Sequence, residues 1–566
     1  MKHFRLLILM AFLSPVLRCE ATTYNATNCN QTGTNSLGAL IAAASDGDTV
    51  NGPSGGGSST WSGSVTSTHT LALVNGNGCN ITVNGTDIFD LTWTNASHVP
   101  RITNFTFNGY GGTALLSLNG NVPAFRVDHI TVNAVPHSGN PHFIWFNHAA
   151  FVGYYNDMSG LVDHITYNCT QDGTCDAFLF YGRDWNWLNA NTMGTSQAIY
   201  IEDSSFTCSA CTGQHFGTVT DAQHGARFVI RHSTIQNMSI SEHDVGVGLD
   251  RGTRQYEAYN NTFTCVGSSS ASCFNAVAIR GGTNLIYNNS IQMDSSSGLS
   301  GWGVVAYTEI FRLADPGSGQ IPWNGILVGN PNIIYAPGNA PGGSGPSTGG
   351  ICSDFYPHAT SSPYAWCSSQ SASCHANPYL TSGNSVCGQA IYTGLPDYTG
   401  GAIANTLLSQ LDGTGPGGYP ARDQTGAGPD TGANHVQTGG AEPLYIWNNT
   451  CASGSRSCTT GAVLMNALEN GVNIGSFITA NRDFYEDASP FTGATGVGVG
   501  TLASRPSTCT PVVGYWATDK NTFYKCLTAN TWTASYTPYT YPHPLQSGGG
   551  GSEASSPVPP TNLAEH

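Results

Sequence analysis

Short segments that alternate apolar and polar residues recur along residues 226–292. They read ARFVIRHSTIQN (226–237), RQYEAYNNTFTC (254–265) and NLIYNNSIQ (284–292). Ile235, Phe263 and Ile291 close the three segments and are spaced 28 residues apart. One such strand cannot bury its apolar side chains alone, but strands stacked about 4.8 Å apart share a continuous core. The repeat therefore predicts the successive coils of a right-handed parallel β-helix.

Three earlier segments, at 125–133, 161–168 and 199–207, fit the same alignment. The alignment predicts two columns of polar residues, each with one residue per strand. The outward column contains Asp128, Asp163, Glu202, Arg231, Tyr259 and Tyr287. The turn column, at the end of each strand, contains His129, His164, Asp203, His232, Asn260 and Asn288. Three acids followed by an arginine on one solvent-facing side make the outward column the first place where we expect chemistry.

The composition is typical of an extracellular all-β protein. Charged residues make up 9% of the chain, against about 25% in an ordinary soluble domain. Hydrophobic residues still make up 39%, which suits a packed core better than a disordered chain. The formal net charge of −16 argues against a nucleic-acid partner. We therefore expect an all-β protein, and we expect it to be a monomer.

Residues 1–21 are typical of a secretory signal peptide. Lys2 and Arg5 precede an apolar run from Leu6 to Leu13, which is too short to span a membrane. The candidate cleavage region is Cys-Glu-Ala at 19–21. A lipoprotein that uses Cys19 is the alternative, but Arg18 is a poor residue in front of a lipid-modified cysteine. We expect a secreted protein, extracellular or periplasmic, without a membrane span.

The cysteine spacing also favours an oxidising compartment. Of the 17 cysteines, an even number remains without Cys19, and many of them lie in close pairs. We expect disulfides that staple loops and constrain the unfolded chain, although spacing does not fix the connectivity. Zinc is the alternative, but the CxxC…CxxC spacing is missing. The candidate pairs are Cys29/Cys79, Cys169/Cys175, Cys208/Cys211, Cys265/Cys273, Cys352/Cys387, Cys367/Cys374, Cys451/Cys458 and Cys509/Cys526.

The pattern divides the chain into seven segments. SLGALIAAASDGDTV (36–50) predicts a short amphipathic helix that ends at Gly47 and caps the open end of the core, followed by a strand. The aromatic residues near the C-terminus predict either a cap or a small carbohydrate-binding module. The segments are a signal peptide (1–21), an N-terminal cap with the first coils (22–110), the β-helix core (111–335), a Gly/Pro/Ser-rich insertion with cysteines (336–440), resumed coils (441–508), an aromatic module (509–545) and a flexible tail (546–566).

Two motifs resemble secreted pectate-lyase-like β-helix proteins: the helix that precedes GDTV (47–50), and the VDH of VDHITVN and VDHITYN. In that family the aspartate of the DH strand binds calcium, and a second aspartate follows on the next strand. The resemblance implies calcium at Asp163 and Asp176, with Asp128 and Glu202 beside them, and stacked carboxylates supply the oxygen ligands that calcium needs. The family's catalytic arginine motif is not recognisable in this sequence.

Positive charge is concentrated in one part of the chain. The only lysines are Lys2, Lys520 and Lys525, so no lysine acts within the predicted β-helix. Five arginines fall within 54 residues: Arg227, Arg231, Arg251, Arg254 and Arg280. In an acidic protein this cluster favours an anionic ligand, most simply a carboxylated extracellular polysaccharide. The alternative is that these arginines pair with nearby acids, namely Glu242, Asp244, Asp250 and Glu257.

These residues favour a lyase that cleaves a uronate polysaccharide by β-elimination. The reaction requires that the uronate carboxylate be neutralised, that a base remove the neighbouring proton, and that a donor protonate the leaving oxygen. The candidate catalytic residues are Arg231 and Arg254 as neutralising groups, His243 or an arginine of depressed pKa as the base, Tyr259 as the donor, and His232, whose alternative role is a structural one in the turn column. The candidate substrate-binding residues are Arg227, Arg251, Arg280, Trp185 and Trp187.

Two other functions stay open. A glycoside hydrolase would use carboxylates on neighbouring strands, such as Asp163 and Glu202 at about 5 Å, or Asp128 and Glu202 at about 9.6 Å. The sequence lacks the motifs of polygalacturonases, of which Gln223-His224-Gly225 is only a fragment. A non-catalytic glycan-binding protein or adhesin would use Trp185 and Trp187 for stacking on sugars.

Overall fold

The computed structural model of the chain is nearly all β and is built around long parallel sheets. It describes residues 21–135, 142–147, 158–170, 175–209, 217–242, 252–266, 275–293, 304–305, 396–397, 401–402, 420, 423–431, 437–451 and 478–547. The predicted signal peptide, most of the predicted insertion and most of the predicted tail lie outside these ranges. Within them, no helix is long and apolar enough to cross a membrane.

The strands are numbered in chain order. Those before residue 182 are β1 (Thr23–Asn25), β2 (Thr49–Asn51), β3 (Gly57–Trp61), β4 (Val65–Ser67), β5 (Leu73–Asn84), β6 (Phe89–Trp93), β7 (Arg101–Tyr110), β8 (Ala114–Gly120), β9 (Arg126–Ala134), β10 (His142–Phe146), β11 (Gly160–Cys169) and β12 (Asp176–Tyr181). The next are β13 (Ile199–Glu202), β14 (Ser205–Cys208), β15 (Gly217–Gln223), β16 (Arg227–Arg231), β17 (Thr234–Gln236), β18 (Met238–Ile240), β19 (Gln255–Tyr259), β20 (Thr262–Cys265), β21 (Val277–Ala278), β22 (Thr283–Tyr287), β23 (Ser290–Met293) and β24 (Val304–Val305). The last are β25 (Pro396–Asp397), β26 (Gly401–Ala402), β27 (Leu444–Trp447), β28 (Thr450–Cys451), β29 (Phe484–Tyr485), β30 (Val497–Gly500), β31 (Gly514–Ala517), β32 (Thr522–Thr528) and β33 (Thr531–Tyr536).

Helical structure is sparse. Among the described residues, the α-helices are α1 (Leu37–Ala43) and α2 (Pro544–Ser547), and the 3-10 helices are Asp184–Leu188 and Leu502–Ser504. Ser36 caps α1, because its side-chain oxygen accepts a hydrogen bond from the backbone N–H of Ala39 at 3.4 Å. The helix therefore stands where the sequence predicts one, but it ends at Ala43 rather than at Gly47. Strand β1 precedes it and pairs with β2, which the sequence pattern did not indicate.

Most strands belong to two parallel sheets. The first sheet contains β1, β2, β3, β5, β7, β9, β11, β13, β14, β16, β17, β19, β20, β22, β23, β27, β28 and β29. The second sheet contains β4, β6, β8, β10, β12, β15, β18, β21 and β24, paired in that order. Each strand pairs with the strand one repeat later, as the sequence repeat predicts. The arrangement is compatible with a β-helix.

The register confirms the outward column. Adjacent strands of the first sheet place its members side by side, so the 28-residue spacing was a correct guide to the pairing. The paired residues are, in order, Asp128, Asp163, Glu202, Arg231, Tyr259, Tyr287 and then Trp447 in β27.

The turn column is also confirmed, and its backbone explains its composition. All six residues have left-handed φ values, between 52° and 56°, which Asn, Asp and His adopt more readily than other non-glycine residues. The chain turns there, and the following residue is buried. At three successive turns that residue is an asparagine: Nδ2 of Asn261 donates to Oδ1 of Asn289 at 3.1 Å, and Nδ2 of Asn289 donates to Oδ1 of Asn449 at 2.9 Å.

The core lies between the two sheets. Phe146 and Phe180 of the second sheet stack in line with Phe228 and Tyr256 of the first, with ring centroids 5.1, 5.3 and 4.9 Å apart. These rings belong to one hydrophobic cluster that extends from Ala26 to Phe484. Each strand therefore buries its apolar side chains only because its neighbours extend the same cluster.

A separate four-stranded sheet, β30 to β33, follows the first sheet in the chain. It begins at Val497, before the Cys509 at which the sequence placed the aromatic module. One side of it packs on the first sheet, where Trp516 lies 5.4 Å from Tyr287 and 5.6 Å from Trp447 between ring centroids. The residues that follow β33 lie against the outward column. They therefore determine whether the predicted site is exposed to solvent.

Three of the predicted disulfides are present among the described residues: Cys29–Cys79, Cys169–Cys175 and Cys509–Cys526. Cys208, Cys265 and Cys451 are also disulfide-bonded, and their predicted partners Cys211, Cys273 and Cys458 lie outside the described residues. Disulfides of this kind persist in oxidising compartments and are rare in the cytosol.

Candidate functional site

The outward column does not form the exposed groove that the sequence predicts. Asp128, Asp163, Glu202 and Arg231 are 0% exposed and Tyr259 is 2% exposed. Residues 536–547, which we call the C-terminal segment, bind Glu202 and Arg231 directly and also bind Arg126, the partner of Asp163. The sequence correctly predicted that these side chains line up along one face. It wrongly predicted that they are exposed to solvent, because the covering residues lie hundreds of positions away in the sequence.

Arg231 lies at the centre of this contact. Its Nε donates to Oε2 of Glu202 at 2.6 Å, and its Nη1 donates to Oη of Tyr259 at 2.8 Å. Nη1 and Nη2 also donate to the backbone carbonyls of Tyr539 and Thr540 at 2.7 and 2.8 Å. Burial by itself lowers the pKa of Arg231, but Tyr259 and Glu202 outweigh burial and raise it. The side chain is therefore a fixed cation with its donors occupied, not a residue available to a uronate.

The other residues of the C-terminal segment bind the column in the same way. Oη of Tyr536 donates to Oε2 of Glu257, and the backbone N–H of His543 donates to Oε1 of Glu202 at 2.8 Å. Arg126 donates from Nη1 to the carbonyls of Leu545 and Gln546 at 3.1 and 3.2 Å. Burial lowers the pKa of His543 to about 3, so it is neutral in this contact.

Three of the four carboxylates proposed as calcium ligands bind arginines instead. Asp128 accepts from Nε of Arg101 at 2.7 Å, and Asp163 accepts from Nε and Nη2 of Arg126 at 2.9 and 2.8 Å. Glu202 is paired with Arg231. Among the described residues, no group of three or more His, Cys, Asp or Glu side chains has the arrangement of a metal site. The three acids of the column therefore do not fit calcium, and we derive no step through a metal.

Arg254 and Trp187 are also part of the buried structure. Both are 0% exposed, and the guanidinium carbon of Arg254 lies 4.9 Å from the ring centroid of Trp187. Nη2 of Arg254 lies 2.7 Å from Oε2 of Glu442, and Nε1 of Trp187 donates to the carbonyl of Gly252 at 2.9 Å. The expectation that Trp187 stacks on a sugar at the surface is therefore wrong, because its ring packs against an ion-paired arginine.

The remaining candidates of the first sheet are dispersed. His232 stacks on Tyr541 with ring centroids 3.5 Å apart, and burial and the charge of Arg231 lower its pKa. Arg227 is partly exposed and donates from Nη1 to Oγ1 of Thr192 at 3.2 Å and to Oε1 of Gln197 at 3.4 Å. Arg280 is partly exposed, and its backbone N–H donates to the buried Glu242 at 3.1 Å. His243, Arg251 and the side chain of Trp185 lie outside what the structure describes.

A second group of chemically active side chains lies on the second sheet, on the side away from the core. We call it the second face. Its central column, in register on five consecutive strands, is Asp90, Ser117, Trp145, Leu179 and Asp221. Leu179, Tyr181 and Trp145 form a small apolar cluster of their own, separate from the core, which places this column on the outer side of the sheet. Trp145 and Asp221 are partly exposed.

His142 and Asp176 flank this column. They are partners in register on β10 and β12, three residues before Trp145 and Leu179 respectively. His142 is 9% exposed, and neither of its ring nitrogens has a hydrogen-bond partner among the described residues. Its ring centroid lies 6.1 Å from that of Trp145. A buried imidazole without a partner is costly, so a polar group that is absent from the structure is the simplest occupant of the space beside it.

Asp176 is held in an environment that favours its protonated form. Its Oδ1 accepts hydrogen bonds from the Oγ1 and the backbone N–H of Thr218 at 2.6 and 3.2 Å. Burial raises the pKa of Asp176, and the charge of Asp221 raises it further, against the opposing effects of His142 and the Thr218 hydrogen bonds. Acid–base catalysis requires one group that is protonated and one that is ionised. Asp176 and Asp221 influence each other's charge, and the environment of Asp176 favours its protonated form.

Aromatic rings complete the second face. The rings of Trp145 and Tyr181 meet edge to face with centroids 5.2 Å apart, and the ring of His224 lies 4.7 Å from that of Tyr181. Trp and Tyr offer an apolar surface with a polar edge, which suits the mixed faces of a sugar ring.

The sequence analysis named Asp176, but it did not connect Asp176 with His142, Trp145 or Asp221. Strict alternation predicts that residues three apart point to opposite sides. Here Phe143 and Ile144 both face the core, so the strand bends and His142 comes to the same side as Trp145. A search for two consecutive apolar residues inside otherwise alternating strands would have found this bend.

Comparison with protein-family models, curated proteins and solved structures finds no match for this chain.

Proposed function

We propose that the protein is a secreted glycoside hydrolase that acts on an extracellular polysaccharide at the second face. In this proposal the two parallel sheets are walls of a right-handed parallel β-helix, α1 caps its N-terminal end, and the chain leaves the cell by the signal peptide at 1–21. The observation that carries the proposal is the cluster of Asp176, Asp221 and the unpartnered His142 beside Trp145.

The proposed reaction uses the two carboxyl groups in different protonation states. Asp176, protonated, donates its proton to the glycosidic oxygen as the bond between that oxygen and the anomeric carbon breaks. Asp221, ionised, removes a proton from the water whose oxygen forms the new bond to the anomeric carbon. Asp221 lies one strand away from Asp176 and three residues beyond its register partner Thr218, and we place the glycosidic bond between the two groups. Burial and the charge of Asp221 raise the pKa of Asp176, which suits its role as the acid.

His142 and the aromatic rings have supporting roles in this proposal. His142 binds a hydroxyl of the sugar, which satisfies its ring nitrogens, and Trp145 lies against the sugar ring. Binding energy of this kind fixes the glycosidic bond relative to the two acids.

Hydrolysis has better support than β-elimination. The arginines that a uronate lyase would need, Arg231 and Arg254, are fully buried and bound to Glu202 and Glu442. Opening either site to substrate would leave a buried acid without its partner, which costs several kcal/mol. The lyase and the non-catalytic glycan binder nevertheless give distinct signals in the assay below.

The test is an incubation with a panel of neutral and uronate polysaccharides, with and without a chelator. New reducing ends without ultraviolet absorbance are expected, and they should be unaffected by chelation. Asp176→Asn and Asp221→Asn should each lower turnover by at least about 100-fold, in line with the loss of a general acid or base. Asp519→Asn, a matched change of an exposed carboxylate on the small sheet, should leave turnover unchanged.

Three results would overturn the proposal. A rise in absorbance from an unsaturated product identifies a lyase, and loss of activity with chelator restores the calcium hypothesis. Glycan binding without any cleavage identifies a binder. Full activity in both Asp176→Asn and Asp221→Asn places the chemistry elsewhere.

A further inference from the structure

We infer that the glycan bound at the second face carries no carboxylate or sulfate groups. The inference rests on the proposed function for the location of the site and goes beyond it in naming the substrate class. It also departs from the anionic polysaccharide that the arginine cluster of the sequence suggested.

The two sheets differ sharply in charge. The strands of the second sheet contain three acids, Asp90, Asp176 and Asp221, and not one Lys or Arg within their described residues. The strands of the first sheet contain Arg101, Arg126, Arg227 and Arg231. Of the five clustered arginines, Arg227 and Arg231 lie on a strand of the first sheet, whereas Arg280 lies two residues beyond β21 of the second sheet.

Three of the four arginines of the first sheet are also bound to acids. Arg101, Arg126 and Arg231 bind the acids of the outward column, and Arg126 and Arg231 hold the C-terminal segment as well. These three guanidinium groups are therefore not available to a long anionic polymer. Guanidinium groups are the usual means by which proteins bind carboxylate and sulfate.

The second face contains three carboxyl groups: Asp90 and Asp221 in the central column, and Asp176 beside it. The charge of Asp221 raises the pKa of Asp176, although the charge of His142 lowers it more strongly. A uronate carboxylate here would meet like charge in a partly buried site, where charge repulsion is screened less than in water. The partly exposed Trp145 instead offers an apolar surface with a polar edge, which suits an uncharged pyranose ring.

The test compares binding and cleavage of neutral and anionic polymers by the full chain. Affinity electrophoresis at low salt, where charge effects are strongest, uses gels cast with xylan, β-glucan or galactan, and gels cast with polygalacturonate or alginate. The protein should be retarded by at least one neutral polymer and by neither anionic one. Trp145→Ala should lose at least about 10-fold in affinity for the neutral polymer, since stacking is removed. Trp532→Ala, which alters a partly buried aromatic residue of the small sheet, is the matched control.

A charge variant makes the test sharper. Asp90→Asn removes one acid from the central column without touching Asp176 or Asp221. At low salt, polygalacturonate should compete with the neutral polymer more strongly in this variant than in the natural protein, and added salt should reduce that difference.

The outcomes separate this inference from the proposed function. Cleavage of polygalacturonate that is lost in Asp176→Asn overturns the uncharged substrate and keeps the hydrolase. Retardation by a neutral polymer that depends on Trp145, without cleavage, keeps the uncharged ligand and overturns the hydrolase. Retardation by anionic polymers alone, or by no polymer, overturns the inference.

Discussion

Nη1 of Arg231 donates a hydrogen bond to the carbonyl oxygen of Tyr539 at 2.7 Å, although the two residues are 308 positions apart in the chain. Similar contacts join Glu202 to His543 and Arg126 to Leu545. The C-terminal segment thus runs against the direction of the strand order, from the strands near residue 257 back to that of residue 126. In a repeat fold each strand contacts mainly its neighbours, so a segment that crosses several strands adds coupling that the repeat itself lacks.

Replacing Arg231 should reduce stability rather than act on catalysis alone. In Arg231→Met, Glu202 stays buried without its cation, and the carbonyls of Tyr539 and Thr540 lose their donor. Breaking one side of a buried ion pair costs about 3–5 kcal/mol. Urea unfolding should show a decrease of this size in the free energy of unfolding.

Two further variants control this experiment. Arg227→Met removes a partly exposed arginine from the same strand and should cost about 0.5 kcal/mol or less. Arg231→Met combined with Glu202→Gln should recover part of the loss, because the buried charge is gone. A loss in Arg231→Met no larger than that in Arg227→Met would contradict the role given to this ion pair.

Truncation tests the C-terminal segment as a whole. A chain that ends at Thr537 lacks the residues that bind Arg231, Glu202 and Arg126, and it should unfold at lower urea than a chain that ends at Ser547. Amide hydrogen exchange should accelerate in Ile199–Glu202 and Arg227–Arg231, because local opening no longer breaks the long-range contacts. Equal exchange rates in the two truncated chains would show that the segment adds no coupling.

The repeat in the sequence was enough to predict the pairing of strands, because a constant spacing of apolar residues fixes the register. That is why Asp163 and Glu202, or Arg231 and Tyr259, were correctly placed side by side. The burial of this column depends on residues 536–547, whose local sequence carries no sign of where they pack. The second face was missed for a different reason. Strand β10 bends at Phe143, so its residues do not alternate regularly between the two sides of the sheet.

The buried asparagines give a prediction about the stacking of strands. Asn289→Ala removes an amide that donates to the carbonyl of Ala258 and to Oδ1 of Asn449, and that accepts from Asn261. Each buried group left without a partner costs about 1–3 kcal/mol, so the free energy of unfolding should fall by at least about 2 kcal/mol. Asn288→Ala, at the neighbouring turn position and less buried, is the control for the change of residue type, although its left-handed φ of 56° adds some strain. A smaller loss in Asn289→Ala than in Asn288→Ala would contradict the importance of the buried amides.

Asp487 gives a prediction about pH. Burial raises its pKa to about 6, the charge of Glu486 adds to this, and its hydrogen bond from the backbone N–H of Asn448 opposes it. Because the folded-state pKa is above the ordinary value of 3.8, the stability that Asp487 contributes is complete below that value and is lost as the pH rises through about 6. Asp487→Asn should therefore stabilise the protein by about 1–3 kcal/mol at pH 8 and change little at pH 3.5. A gain at pH 3.5 equal to that at pH 8 would rule out titration as its cause.

The pKa of Asp176 is raised, as that of Asp487 is, so one substitution at Asp176 tests both stability and function. Its pKa is raised mainly by burial, so the ionised form weakens the folded state, and the stability it contributes at low pH is lost as the pH rises through its folded-state pKa. Asp176→Asn keeps an oxygen that accepts from Thr218 but carries no charge. Thermal unfolding should therefore show a higher midpoint at pH 8 than in the natural protein, while cleavage of polysaccharide is lost. Catalytic groups commonly lower stability in this way.

The pKa of Asp128 is shifted in the opposite direction to that of Asp176. Burial alone would raise the pKa of Asp128, but its hydrogen bonds and ion pairs with Arg101 and Arg126 lower it below the ordinary value. Asp128→Asn should thus destabilise the protein above pH 4, and the difference should shrink as the pH falls through the folded-state pKa of Asp128. Cleavage should fall only as far as folding does. If Asp176→Asn instead lowers the midpoint at pH 8 as Asp128→Asn does, then Asp176 is a structural acid whose charge the fold needs, and the general-acid role assigned to it fails.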